Sequence, residues 1–194
     1  ERSRGLGDVY KRQLKYNNKN FLLPVNIIGK HNYINAITAI AACRELKVPI
    51  NTQIKALSSF KGVSKRTDLV CEIDGIKVFD DFAHHPTAIK SSINSIKDTF
   101  TGQRLLTIFV PGSNSMRLGV HNDQLVPSLK KSDRALVLTR FKPLKRLMGN
   151  NIKINVIETE AQIREYLDKE NNFDIVLVLS NRNTENILRY IKNG

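Results

Sequence analysis

From residue 104 onward, short apolar runs alternate with stretches in which apolar residues recur every three or four positions. RLLTIFV (104–110), RALVLT (134–139), IKINVI (152–157) and DIVLVL (174–179) read as strands, the first buried on both faces. The spacing predicts helices over about 122–131, 160–169 and 183–192 between and after them, and TRFKPLKRL (139–147) reads as a basic loop. Upstream, Pro86 opens a helical stripe of Ile89, Ile93, Ile96 and Phe100. LVCEIDGIKVFDDF (69–82) reads as two strands folded about Asp74-Gly75, a pair suited to a tight hairpin turn. Strands alternating with helices in this way predict an α/β fold, a Rossmann-like doubly wound and mostly parallel sheet.

The first third has a different pattern. ERSRGLGDVYKRQ (1–13) carries no periodicity and looks like an adaptor or vector scar outside the fold. Residues 21–28 read as an extended segment interrupted by Pro24. A helix is expected from Asn32, its N-cap, with Ile34, Ile37 and Ala41 as the packed face and Pro49 as the stop. A short helix over about 51–59 follows, with Ile54 and Leu57 as its apolar positions. The glycine and charges of FKGVSKRTD then suggest a hinge near 61–66. The expected division is 1–13, 14–61 and 62–194.

Composition narrows the partners. The net charge of +13, from 31 basic and 18 acidic residues, favours anionic ligands. The basic residues are spread along the chain, and the densest patch contains no recognisable groove-reading helix. A non-enzymatic α/β module binding anionic ligands or nucleic acid is therefore the rival class, with nucleic acid disfavoured. No apolar run approaches the roughly 20 residues a membrane span needs, and no secretory start is evident, so a cytoplasmic protein is expected. Cys43 and Cys71 have no CxxC spacing and read as packed thiols.

The densest chemistry lies in VFDDFAHHPTAI (78–89), between a strand and a helix. Ligands of open α/β sheets bind at the carboxyl ends of strands, where helix amide ends favour anions. Adjacent histidines usually diverge and no third soft ligand is near, so no metal is expected. Neighbouring acids on an extended segment face opposite sides, so one should face a ligand while the other holds the loop. The loops after 79, 110 and 179 are expected to converge over one rim.

Four segments in order resemble the Mur ligase family. DDFAHHPTAI resembles the signature opening its C-terminal domain, and GKHNYINAITAIAA (29–42) its G-x-H-N-x-x-N-A segment in the ATP-binding central domain. FKGVSKR (60–66) resembles its F-x-G-V-x-R-R hinge. PGSNSMRLG (111–119) resembles P-R-S-N-T-M-R in those members that attach L-alanyl-γ-D-glutamyl-meso-diaminopimelate, the murein tripeptide, to UDP-N-acetylmuramate. There are departures. Gly112 stands where an arginine is expected, the hinge has Lys65 before Arg66, and LSNRNTENI lacks the usual glycine-rich stretch.

The resemblance implies an ATP- and magnesium-dependent carboxylate–amine ligase of peptidoglycan recycling, acting through an acyl phosphate and a tetrahedral intermediate. It implies that His31, Asn32 and Asn35 frame adenine, and that Arg66 and Asp81 lie near ribose and phosphates. It places His84 and His85 near the reacting amine, Arg117 on a carboxylate or phosphate, and Ser113, Asn114, Ser180 and Asn181 along the peptide. His121 matches no motif. A ligase for free L-alanine is the alternative within the family, but it is expected to carry H-R-Y-x-R where this chain has 113–117. No G-x-x-x-x-G-K-[S/T] phosphate loop occurs. The expectation is a fragment, inactive alone: the end of the central domain (14–61) and the whole C-terminal domain (62–194), with magnesium ligands mainly elsewhere.

Overall fold

The computed structural model describes residues 12–16, 18–23, 28–112, 116, 121–149, 151–170 and 172–192. The chain forms two compact units that divide between Val63 and Ser64.

In the first unit, β1 (Arg12–Tyr16) pairs antiparallel with β2 (Lys19–Leu23). Arg12 and Gln13, expected outside the fold, pair with Leu23 and Leu22. Two helices follow, α1 (Lys30–Glu45) and α2 (Ile50–Ser59). The core is Leu23, Tyr33, Ala36 and Ile40, with Leu14, Ile50 and Leu57 against it.

This corrects the expected face of α1: Ile34 is 53% and Ile37 45% exposed. The alanine-rich stretch is apolar nearly all round, so spacing alone did not single out one stripe, and the larger ring of Tyr33 chose it. Asn32 is not the N-cap either. Gly29, at φ 99, takes that place, and Asn32 donates Nδ2 to the Ile28 carbonyl at 2.6 Å. Nor does Pro49 stop the helix. Lys47, at φ 58, donates to Arg44 O and Val48 to Cys43 O, a Schellman ending two residues before the proline.

The second unit is a six-stranded sheet of β3 (Asp68–Ile73), β4 (Ile76–Asp81), β5 (Leu105–Phe109), β6 (Arg134–Leu138), β7 (Ile154–Ile157) and β8 (Ile175–Leu179). Its order is β3-β4-β8-β5-β6-β7, with only β3 antiparallel to its neighbour. The hairpin turn is Asp74-Gly75, both at positive φ, as the sequence predicts. Helices α3 (Pro86–Thr99), α4 (Asn122–Leu129), α5 (Lys142–Met148), α6 (Ala161–Lys169) and α7 (Glu185–Lys192) complete the unit.

All five residues of β5 and of β8 are buried. Alternate residues serve opposite faces. Leu106, Ile108, Val176 and Val178 join Ile163 and Leu167 of α6 and Ile187 and Ile191 of α7. On the strand beside them, Phe79 meets Phe100 at the end of α3, ring centres 5.7 Å apart. The predicted stripe Ile89, Ile93 and Ile96 is completely buried, each side chain contributing roughly 1.5–3 kcal/mol.

Two local expectations fail. The basic loop contains α5, because Leu144 and Met148, one turn apart, are buried beneath its lysines. β7 begins only at Ile154, and Ile152 is 90% exposed. Among the described residues no helix is long and apolar enough to cross a membrane.

Candidate active site

The strand order sets the ends of β4, β8 and β5 side by side, with Asp81 and Phe109 each opposite Leu179. The loops are stitched as they leave: Ser180 N donates to Asp81 O at 3.0 Å and Val110 N to Leu179 O at 2.9 Å. These three loops therefore rise from one rim. Ser113, Asn114 and Arg117 lie outside the described residues.

The two acids of the signature divide their work. Asp81 Oδ2 accepts from Thr67 N at 2.9 Å and Thr67 Oγ1 at 2.8 Å, and Oδ1 accepts from Ala83 N at 2.8 Å. Thr67, a β-branched residue, sits at φ 54, a strained conformation that the surrounding bonds must hold. Asp81 thus fixes the segment before β3, and with it the exposed Arg66, which has no side-chain partner among the described residues.

Asp80 is equally buried. Its Oδ2 accepts from Thr184 Oγ1 at 2.8 Å and lies 3.9 Å from Lys65 Nζ, while Oδ1 has no partner among the described residues. Burial pushes its carboxyl above the ordinary range, outweighing the Thr184 hydrogen bond and the Lys65 charge. Lys65 also donates to the Arg182 carbonyl at 2.7 Å, tying the segment before β3 to the loop after β8. Neither Asp80 nor Lys65 is among the site residues that the resemblance implies. Paired acids were a signal, but which one carries the loop depends on donors far upstream.

The histidines also separate. His84 Nδ1 lies 3.0 Å from Phe82 O; a carbonyl only accepts, so Nδ1 carries the proton and Nε2 is left as an acceptor in the neutral ring. His85 is the N-cap of α3, its Nδ1 accepting from Thr87 N at 3.3 Å. His85 also meets His121 edge to face, ring centres 4.4 Å apart, a neighbour 36 residues on that matched no motif.

Ser180 does not line a peptide pocket. It is completely buried, donating Oγ to Val110 O at 3.2 Å and accepting from Arg182 N at 3.0 Å. Asn181 is half-buried, its Oδ1 without a partner among the described residues. Gly112 explains itself here: a Cβ would fall 2.2 Å from Asn181 Oδ1 and 2.8 Å from Arg182 Cγ. A guanidinium does lie over position 112, but it comes from residue 182, whose Nη2 donates to Gly112 O at 3.3 Å.

A cleft of about 650 Å³ opens along this edge, lined by Val110 and Pro111 after β5, by 138–141 and Leu144, by Glu158 and Glu160 after β7, and by Arg182 after β8. Within the first unit, a mostly apolar cavity of about 400 Å³ lies among Asn32, Asn35, Ala39, Ile40, Leu57 and Phe60. Gln53, not anticipated, also lines it. Its Nε2 donates to Val48 O at 2.7 Å, leaving a buried Oε1 with no partner among the described residues. His31 is half-buried in the first turn of α1 and is not part of that lining.

Residues 65–182 match the family model for the Mur ligase, glutamate ligase domain. UDP-N-acetylmuramate--L-alanyl-gamma-D-glutamyl-meso-2,6-diaminoheptandioate ligase of Haemophilus influenzae is 40% identical over 114 residues, 58% of this chain and 25% of that protein. UDP-N-acetylmuramate--L-alanine ligase of Ruthia magnifica is 30% identical over 192 residues, 89% of this chain and 39% of that protein. The crystal structure of a murein peptide ligase from Psychrobacter arcticus matches with a TM-score of 0.64 at 30% identity, covering 90% of this chain and 40% of its own. The chain thus spans 25–40% of the length of these three proteins. With its sheet order, its stitched rim and this match across the second unit, the chain belongs to the Mur ligase family.

Proposed function

We propose that this chain is the peptide-receiving part of an ATP-dependent ligase that joins UDP-N-acetylmuramate to L-alanyl-γ-D-glutamyl-meso-diaminopimelate. The observation that carries this reading is the cleft of about 650 Å³ at the carboxyl edge. Sites of roughly 300–1,000 Å³ enclose extended small ligands, and free alanine needs far less. Two relatives named for the tripeptide substrate, at 40% and 38% identity, support it.

Amide formation needs the peptide amine held against an activated carboxylate with water kept away. ATP, when bound, supplies the phosphoryl group that activates the carboxylate. The cavity of the first unit fits an adenine: its walls are apolar, and the Asn35 amide and the unpartnered Gln53 Oε1 offer a polar edge. Arg66, held in place through Thr67 and Asp81, is suited to an anionic oxygen by its planar fork. His84 Nε2 is available to accept a hydrogen bond from the amine and orient it. Among the described residues no group of three or more His, Cys, Asp or Glu is placed to hold a metal, and no residue here is assigned to magnesium.

The test is ATP-dependent product formation by the full-length ligase, supplied with UDP-N-acetylmuramate and either the tripeptide or free alanine. Product with the tripeptide is expected, and preference for alanine overturns the substrate assignment. These 194 residues by themselves hold no phosphate-loop motif and should turn nothing over. Retention on DNA with a steep salt slope and no adenine-nucleotide binding would instead favour an anion-binding module.

A further inference from the structure

The cleft at the carboxyl edge has a charge pattern that the sequence motifs do not account for. Of its acidic side chains, Glu158 is engaged by Lys145, whose hydrogen bond and charge hold its carboxyl below the ordinary range. Glu160 is different. It lies half-buried at the start of α6, and no described residue pairs with its carboxylate. Facing the same space are two guanidinium groups, each oriented by one bond to a backbone carbonyl. Arg140 donates Nε to Glu158 O at 3.2 Å, and Arg182 donates Nη2 to Gly112 O at 3.3 Å. A guanidinium has five N–H donors, so each keeps most of its fork for a ligand. Neither forms an ion pair within 4 Å of a described carboxylate, although the Arg140 charge adds to that of Lys145 in holding Glu158 low.

Two anchored guanidiniums and one uncompensated carboxylate lining a single cleft match a ligand end that carries a carboxylate and an ammonium together. We propose that this cleft seats the zwitterionic far end of diaminopimelate, its carboxylate held by Arg140 and Arg182 and its ammonium by Glu160. The inference rests on the tripeptide reading above and makes these three residues the determinants of the third position of the peptide. None of them belongs to the four motifs that carry the family resemblance. The placement follows from the sheet: β5, β6, β7 and β8 end along one edge, so residues 140, 160 and 182 line one cleft although they are distant in sequence.

Lysine in the third position is a natural probe, because it keeps the terminal ammonium and lacks only the carboxylate. The full-length ligase would be assayed with the diaminopimelate tripeptide and with its lysine analogue. The wild type should favour diaminopimelate by about ten- to hundred-fold in kcat/KM, the scale of charge-assisted hydrogen bonds. Arg140→Gln and Arg182→Gln should raise KM for the diaminopimelate peptide and bring the ratio towards one, leaving the lysine peptide unchanged. Glu160→Gln should weaken both peptides alike, since both carry the ammonium. The rate with the lysine peptide shows that each arginine variant is folded, and an unchanged KM for ATP does the same for Glu160→Gln. If both peptides are joined but the arginine variants leave the ratio unaltered, the cleft assignment is wrong and the ligase reading stands. If neither peptide is joined while alanine is, both fall.

Discussion

The sheet of the second unit carries a cleft at each end, about 670 Å³ at the amino ends of its strands and about 650 Å³ at the carboxyl ends. Their chemistry is unlike. At the amino end, Arg164 pairs with Asp168 one turn on at 2.8 Å, and Asp174 accepts from Arg104 N at 2.7 Å; only Asp74, in the exposed hairpin turn, lacks such a partner. At the carboxyl end, among the described residues, Glu160 has no ion-pair partner and two arginines are hydrogen-bonded only to backbone carbonyls. Volume does not distinguish a site from a crevice here; charges of both signs outside any described ion pair do, since at the amino end only acids, Asp74 and Asp174, stand so. The reason is topological. Every parallel strand delivers its chain to the carboxyl rim before a helix begins, so the variable loops and helix amide ends collect there.

The largest test of this contrast sets one aspartate at each end against the other. Asp81→Ala would leave Thr67 N and Ala83 N without their carboxylate and release a strained residue just before β3. A loss of about 3–4 kcal/mol is expected from urea denaturation. Asp174→Ala removes one hydrogen bond at an exposed position and should cost about 1 kcal/mol. Equal losses would mean that the carboxyl rim is no more tightly built than the opposite end.

A second pair differs in sign. Burial raises the carboxyl of Asp80 above the ordinary aspartate value of 3.8, so between those values the folded chain holds a proton that the unfolded chain has released. Stability from this group falls as pH rises through that window. At the other end, burial alone would raise Asp133, but the Leu105 amide and Lys97, at 2.9–3.0 Å, hold it below the ordinary value. Its contribution is present above that value and is lost as pH falls through the depressed one. Asp80→Asn should therefore stabilise at neutral pH and be neutral in acid, whereas Asp133→Asn should destabilise at neutral pH and be neutral in acid. Urea midpoints at the two pH values check this; the same sign for both would break the comparison.

The same contrast explains what could be read from the sequence. The β5 and β8 strands and the Ile89, Ile93, Ile96 stripe were legible because burial on a regular period is a local property of the chain. So was the hairpin at Asp74-Gly75. The face of α1 was not, because alanines surround it and the choice lay with packing partners. The expectation that one acid faces a ligand while the other holds the loop could not say that Asp81 would hold it, since its partner is Thr67 in a left-handed conformation 14 residues upstream. Arg182 over Gly112 is a match across 70 residues and has no local signature at all. The residues read most reliably are thus those of the core, and those of the rim depend on which loops the topology brings together.

The smallest effect concerns the two adjacent histidines, which the sequence could not tell apart. His85 caps α3 through Nδ1, which accepts from the Thr87 amide, whereas His84 donates from the corresponding atom to Phe82 O. His85→Ala leaves the Thr87 amide without its acceptor and should cost about 0.5–1 kcal/mol, and His85→Asn, whose side-chain oxygen can replace the acceptor, should restore most of it. His84→Ala removes a side chain whose hydrogen bond and edge-to-face ring contact, both with Phe82, stay within its own loop, so its stability should change less, while the rate of the full-length ligase should drop through loss of Nε2. A His85→Ala variant as stable as the wild type, together with a His84→Ala variant of unchanged rate, would return both rings to the status of surface residues.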